Sequence, residues 1–185
     1  MDMDKDFYNI VSEVDKRAQN VVKLLKEYSL VVSTAESCSG GLLAAALTGV
    51  AGASEVFNFG ACTYSNGAKE KYLNVKNQTL KDFGAVSKET SLEMARGACA
   101  AGNAGLGLAI TGIAGPGGGT AEKPVGTVYI AAACGAKTEC KRLSVSTDRI
   151  LPELERQYIR YYSVNETLKL AEVFLAENDL NCFAH

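Results

Sequence analysis

The chain has 185 residues, with 19 Lys and Arg against 21 Asp and Glu, six Cys, no Trp and one His, the terminal His185. That length suits one domain spanning residues 1–185, able to bury about 70% of the surface its unfolded form exposes, and a formal charge of −2 argues against a nucleic-acid binder. With its single histidine at the very end, the chain lacks the central member of a Ser–His triad, a Cys/His dyad or a His-rich metal site.

Phe7, Ile10, Val14, Val21 and Leu25 recur at helical spacing and predict an amphipathic first helix from Asp6 to about Glu27. A short β-branched stretch, 30–34, predicts a strand, followed by the turn Ser37-Cys38-Ser39-Gly40-Gly41 and an apolar helix over 42–47. A second strand is expected from Val56 to Tyr64, then Ser65-Asn66-Gly67 and a polar helix carrying Lys69 and Lys71. Ser87, with Glu89 close behind, predicts an N-cap for a helix running to about Ala101 whose inner face holds Leu92, Ala95 and Cys99. Leu106 to Ile110 reads as a buried strand.

Eight of the 18 glycines fall between Gly102 and Gly119, so Thr111 to Thr120 must be a loop of unusual backbone geometry. Val125 to Ala133 and Cys140 to Val145 predict a hairpin turning near Gly135-Ala136. Asp148 is expected to cap a long last helix from about Arg149 to near Asn178, with Pro152 in its first turn and Leu154, Tyr158, Tyr161, Leu168 and Leu175 along one side. Strands interleaved with helices and closed by a hairpin predict an α/β fold, a three-layer α/β/α sandwich with a mostly parallel, partly mixed sheet. A ligand site in such a sheet lies beyond the carboxyl ends of the strands, where loops 36–41, 63–69 and 111–120 fall.

The six cysteines include no C-x-x-C and sit mostly in apolar segments, which predicts reduced, buried thiols and no metal site. Apolar runs such as Leu42 to Leu47 are too short to span a bilayer, and the acidic start from Met1 to Asp6 does not read as a secretory signal. The expected location is the cytoplasm.

The glycine loop has no G-x-x-x-x-G-K-[ST], and Tyr64 and Lys69 are five apart, not the four of a short-chain dehydrogenase pair. The Ser37–Gly41 turn has a better physical case, because successive amides at a helix start can hold an anion or a developing oxyanion. A serine there needs a base, and Lys69, one loop away, can serve if desolvation keeps it neutral. N-capping by Ser37 or Ser39, and a solvated helix face for Lys69, stand beside that reading as the plainer alternatives.

Five ordered blocks carry a resemblance. Thr34-Ala35-Glu36-Ser37-Cys38-Ser39-Gly40-Gly41, Thr63-Tyr64-Ser65-Asn66-Gly67-Ala68-Lys69, Gly84-Ala85-Val86-Ser87, Thr111-Gly112 through Thr120, and Lys123 through Val128 resemble the CinA carboxy-terminal domain family. The resemblance implies an α/β/α homodimer that deamidates nicotinamide mononucleotide to nicotinate mononucleotide and ammonia without metal or cofactor. It implies Ser37 as nucleophile, Lys69 as general base and Tyr64 beside them, with Cys38, Ser39, Gly40 and Gly41 supplying amides to the oxyanion. Thr111, Gly112, Gly115 and Arg149 would line the nucleotide, Arg149 at its phosphate. Ser39 keeps the hydroxyl of the threonine many members have, whereas Gly67 replaces a larger residue at a helix start, where glycine costs up to about 1 kcal/mol.

Neither nucleic acid nor membrane is an expected partner; a small nucleotide is. A non-catalytic nucleotide-binding or regulatory module of the same family is the alternative, and hydrolysis of another amide or of a pyrophosphate is a third reading.

Overall fold

The computed structural model describes residues 3–177. In chain order its elements are α1 (Met3–Glu27), β1 (Val32–Glu36), α2 (Leu42–Thr48), a 3-10 turn (Ala53–Glu55), β2 (Phe57–Cys62), α3 (Asn66–Leu73), α4 (Asn77–Phe83), α5 (Lys88–Gly102), β3 (Leu106–Gly112), β4 (Thr127–Cys134), β5 (Lys137–Ser144) and α6 (Glu155–Glu177). The five strands form one sheet in the order β2-β1-β3-β4-β5. β1 pairs in parallel with β2 and β3, and the β3–β4 and β4–β5 pairs are antiparallel.

Each face of the sheet buries its own apolar cluster. Val32, Leu106, Leu108, Ile110, Val128 and Ile130 pack with residues of α1, α2 and α6, while Ala35, Ala109, Ala131 and Ala133 pack with residues of α3, α4 and α5. These are the expected three layers. Small side chains on the second face let α5 lie close: a Cβ on Gly107 of β3 would sit 2.0 Å from the Ala95 carbonyl oxygen, and Gly97 is nearly as tight against α3. A Cβ there would sit 2.1 Å from the Leu73 carbonyl oxygen, so only glycine lets α5 meet the end of α3.

Several elements depart from their sequence patterns. β1 runs two residues later than expected, because α1 ends with Ser29 in a left-handed conformation and the Leu30 amide donating back to Leu25 at 2.9 Å. Leu30 and Val31 belong to that exit, and polar Ser33, Thr34 and Glu36 are drawn into the strand by partners on both sides. α4 carries no apolar period and was not expected. α5 starts as read, with the Ser87 hydroxyl accepting from the Thr90 amide, though its fully buried face is led by Met94, Ala95 and Ala98, with Leu92 and Cys99 at the margin.

α6 begins at Glu155, not Arg149. A residue preceding proline is biased away from the helical region, so Leu151 and Pro152 stay outside the helix. Asp148 accepts from the Ser146 hydroxyl at 2.8 Å. The expected end near Asn178, Cys182 and His185 lie outside the described residues. Cys62 is exposed, against the reading of buried thiols, and the five described cysteines form no disulfide with one another.

No described helix is long and apolar enough to cross a membrane.

Gly67 sits in the first turn of α3 with a negative φ and nothing within 4 Å of the position a Cβ would take. Gly67→Ala should therefore stabilise the fold by about 0.5–1 kcal/mol through the unfolded chain, read as a higher urea midpoint at constant slope.

Candidate functional site

The strand register brings the chemistry together. Glu36 stands opposite Cys62 on one side and Ile110 on the other, so Ser37, Thr63 and Thr111 follow at one level, the first two just past their strands and Thr111 still paired with Tyr129 of β4. The chain runs from β1 to β2 on one flank and on to β3 on the other, which makes this edge the topological switch point. There the described residues enclose a cleft of about 270 Å³ lined by Ser37, Cys38, Tyr64, Lys69, Thr111 and Arg156, with Ala85, Val86 and the glycine loop from Gly112 to Gly118 completing it.

Lys69 is fully buried. It lies in the first turn of α3, capped by the Ser65 hydroxyl, and helical side chains lean toward the N-terminus. Its amine accordingly reaches back to the β2–α3 loop, with Nζ 2.7 Å from the Thr63 carbonyl oxygen, 3.5 Å from that of Tyr64 and 3.1 Å from Ser37 Oγ. Burial lowers its pKa from 10.5 to about 8, against a small opposing effect of Cys38.

In the ammonium form three N–H groups serve these three oxygens. In the neutral form the two carbonyls, which can only accept, take the two remaining N–H groups, and the lone pair is left to the Ser37 hydroxyl. The arrangement can therefore take a proton from Ser37. Cys38 is a weaker nucleophile candidate despite lining the same cleft, since burial pushes its thiol up to about 11 and the thiolate is the reactive form.

Glu36, which looked unremarkable in the sequence, holds the turn. Its buried carboxylate accepts from the amides of Gly41 and Leu43, both at 3.0 Å, and of Ala44 at 2.9 Å. It caps α2 from five residues upstream, where the N-cap residue Gly41 has no side chain to do so. The capping alternative for Ser37 and Ser39 is thereby displaced.

This corrects the oxyanion assignment. The Gly41 amide is occupied by Glu36 and the Gly40 amide by the Ser37 carbonyl oxygen at 3.1 Å, and neither glycine lines the cleft. Their left-handed conformations, φ +62° and +96°, shape the turn instead. Ser39 also lies off the cleft, fully buried with no partner for its hydroxyl among the described residues. Cys38, Thr111, Gly112 and Gly115 do line it, and the Thr111 hydroxyl donates to the Ala85 carbonyl at 2.7 Å.

Arg149 is exposed and is not among the cleft residues. The arginine there is Arg156, which donates to the Gly115 carbonyl and, at 3.1 Å, to the Tyr64 hydroxyl. Sequence reasoning missed it because the family resemblance was placed on Asp148-Arg149. Arg156 and Arg160, four apart on a helix, were the available signal.

The family profile for the CinA C-terminal domain matches residues 14–175. A "CinA-like protein" of Kosmotoga olearia is 54% identical over 129 residues, 70% of this chain and 31% of that protein. A "putative competence-damage inducible protein" of Caldanaerobacter subterraneus is 45% identical over 163 residues, 79% of this chain and 40% of that one. The chain thus spans well under half the length of these curated relatives. The crystal structure of the competence/damage inducible protein CihA from Agrobacterium tumefaciens matches with a TM-score of 0.82 at 40% identity, over 89% of this chain and 96% of that one. A CinA superfamily protein from Klebsiella pneumoniae gives 0.82 at 30%, over 89% and 99%. Sequence and fold agree: the chain belongs to the CinA C-terminal domain family.

Proposed function

We propose that this chain is an amidohydrolase that converts nicotinamide mononucleotide to nicotinate mononucleotide and ammonia. The observation that carries the reading is the buried lysine whose Nζ lies 3.1 Å from Ser37 Oγ and is otherwise held by two carbonyl oxygens. Such a pair needs neither imidazole nor metal to make an alkoxide.

Ser37 Oγ attacks the carboxamide carbon as its proton passes to neutral Lys69, and the C–O bond forms while the carbonyl becomes an oxyanion. The amide of Cys38, which lines the cleft and which the turn does not use internally, is the donor left for it. Lys69 then protonates the leaving nitrogen, the C–N bond breaks and ammonia departs. Water attacks the acyl-serine with Lys69 again as base, releasing the acid and restoring Ser37. Arg156 supplies the cation for a nucleotide phosphate, with the small residues of the glycine loop admitting the backbone close to it. The twofold assembly implied by the resemblance belongs to the same proposal and is read from the mass in solution.

Ammonia release from nicotinamide mononucleotide by the purified protein tests the reading. A ligand-dependent rise in melting temperature without product would instead favour the binding-module alternative. The pH profile is specific. Lys69 acts when deprotonated, so kcat/KM should rise about tenfold per pH unit below about pH 8 and level off above it. A flat profile across that range would remove Lys69 as the base.

A further inference from the structure

Two arginines one turn apart on α6 serve the site differently. Arg156 lines the cleft, whereas Arg160 does not. The Arg160 guanidinium grips the catalytic turn through the main chain, its Nη2 donating to the Ser39 carbonyl at 2.8 Å and its Nε to the same oxygen at 3.3 Å. Nη1 donates to Gln157 Oε1 at 2.7 Å, which steadies the guanidinium on its own helix.

The peptide joining Ser39 to Gly40 is therefore held at both ends. Its oxygen accepts from Arg160 and, at a longer 3.4 Å, from the Leu42 amide, and its N–H donates to the Ser37 carbonyl at 3.1 Å. Rotating that peptide plane changes mainly ψ of Ser39 and φ of Gly40, and glycine accepts either sign of φ with little steric penalty. Gly40 has φ +62° here, so the glycine that permits the turn also leaves this plane free to flip. A flip would release the Ser37 carbonyl, which belongs to the same peptide unit as the cleft-lining Cys38 amide.

We propose that Arg160 is a positioning residue for Ser37, locking the 39–40 peptide from outside the cleft so that the nucleophile and the Cys38 amide keep one arrangement. This rests on the Ser37–Lys69 hydrolase reading. Arg160 touches no substrate, so its loss acts on turnover more than on binding. An error of about 1 Å at a nucleophile is worth about a hundredfold in rate.

The test compares the full chain with Arg160→Ala and Arg160→Lys, using nicotinamide mononucleotide for kinetics and amide hydrogen exchange at Gly40 for the turn. Arg160→Ala should lose about a hundredfold in kcat with KM within about threefold, and its Gly40 amide should exchange at least about tenfold faster. Arg160→Lys keeps the charge but not the forked grip, and should fall between the two; if Arg160→Ala does not fold, Arg160→Lys carries the test on the same readouts. Unchanged Gly40 exchange, a kcat within about threefold of wild type, or a defect confined to KM each overturns the inference. If the wild-type chain releases no ammonia, the hydrolase reading fails separately, and Gly40 exchange still decides whether Arg160 holds the turn.

Discussion

Ser37→Ala should lower ammonia release from nicotinamide mononucleotide by about 10⁴-fold or more, as deletion of a nucleophile does in hydrolases whose catalytic groups act as a unit. The change removes one oxygen from a side chain whose main chain stays anchored, the Ser37 amide donating to the Ile110 carbonyl at 2.9 Å. Lys69 loses one of three partners and keeps both carbonyls, so stability should move by no more than about 1 kcal/mol. Nucleotide binding, measured by calorimetry on the inactive variant, should persist, because the rest of the cleft wall is untouched. In the wild-type chain, a rapid quench followed by mass measurement of the Ser37 peptide should capture the acyl ester. Turnover of the variant within tenfold of wild type would mean that water, activated directly by Lys69, attacks the amide without a covalent intermediate.

How much of this was legible before the structure depends on whether the signal was local. The strand–turn–helix order around Ser37 and the Ser87 cap were readable because each is set by neighbours a few residues apart. The extent of β1 was not, since Ser33, Thr34 and Glu36 are polar and become a strand only through pairing with β2 and β3. Lys69 could be named but not distinguished from a solvated lysine, because its burial depends on where α3 packs. The least visible facts were those that cross the chain. Arg156 and Arg160 meet Gly115, Tyr64 and Ser39 across more than forty residues of sequence, and Arg149 was preferred on the family resemblance of Asp148-Arg149, which no local signal could weigh against them.

Glu36 shows how a residue can be decisive without touching the reaction, and its substitution should give a large stability loss. α2 is seven residues long and its N-cap is Gly41, which offers no side-chain acceptor. An isolated helix so short is unstable in water, so α2 depends on its packing and on the carboxylate that receives three of its first amides. Glu36→Ala leaves those N–H groups without an acceptor, one of them fully buried at Leu43. At about 1–3 kcal/mol for each donor stranded away from water, partly relieved where solvent reaches Gly41 and Ala44, the loss should be about 3–5 kcal/mol. That is a large part of the roughly 5–15 kcal/mol holding a typical domain together. Glu36→Gln keeps one acceptor oxygen but gives up the charge favoured at a helix start, and should lose about 1–2 kcal/mol. Urea unfolding of both variants separates the cases, and their ordering matters as much as their size. Because the same turn carries Ser37, both variants should also lose activity, but with a lowered urea midpoint that Ser37→Ala does not share. A Glu36→Ala protein within about 1 kcal/mol of wild type would mean that packing alone holds α2, and that the carboxylate is no part of what keeps the nucleophile in place.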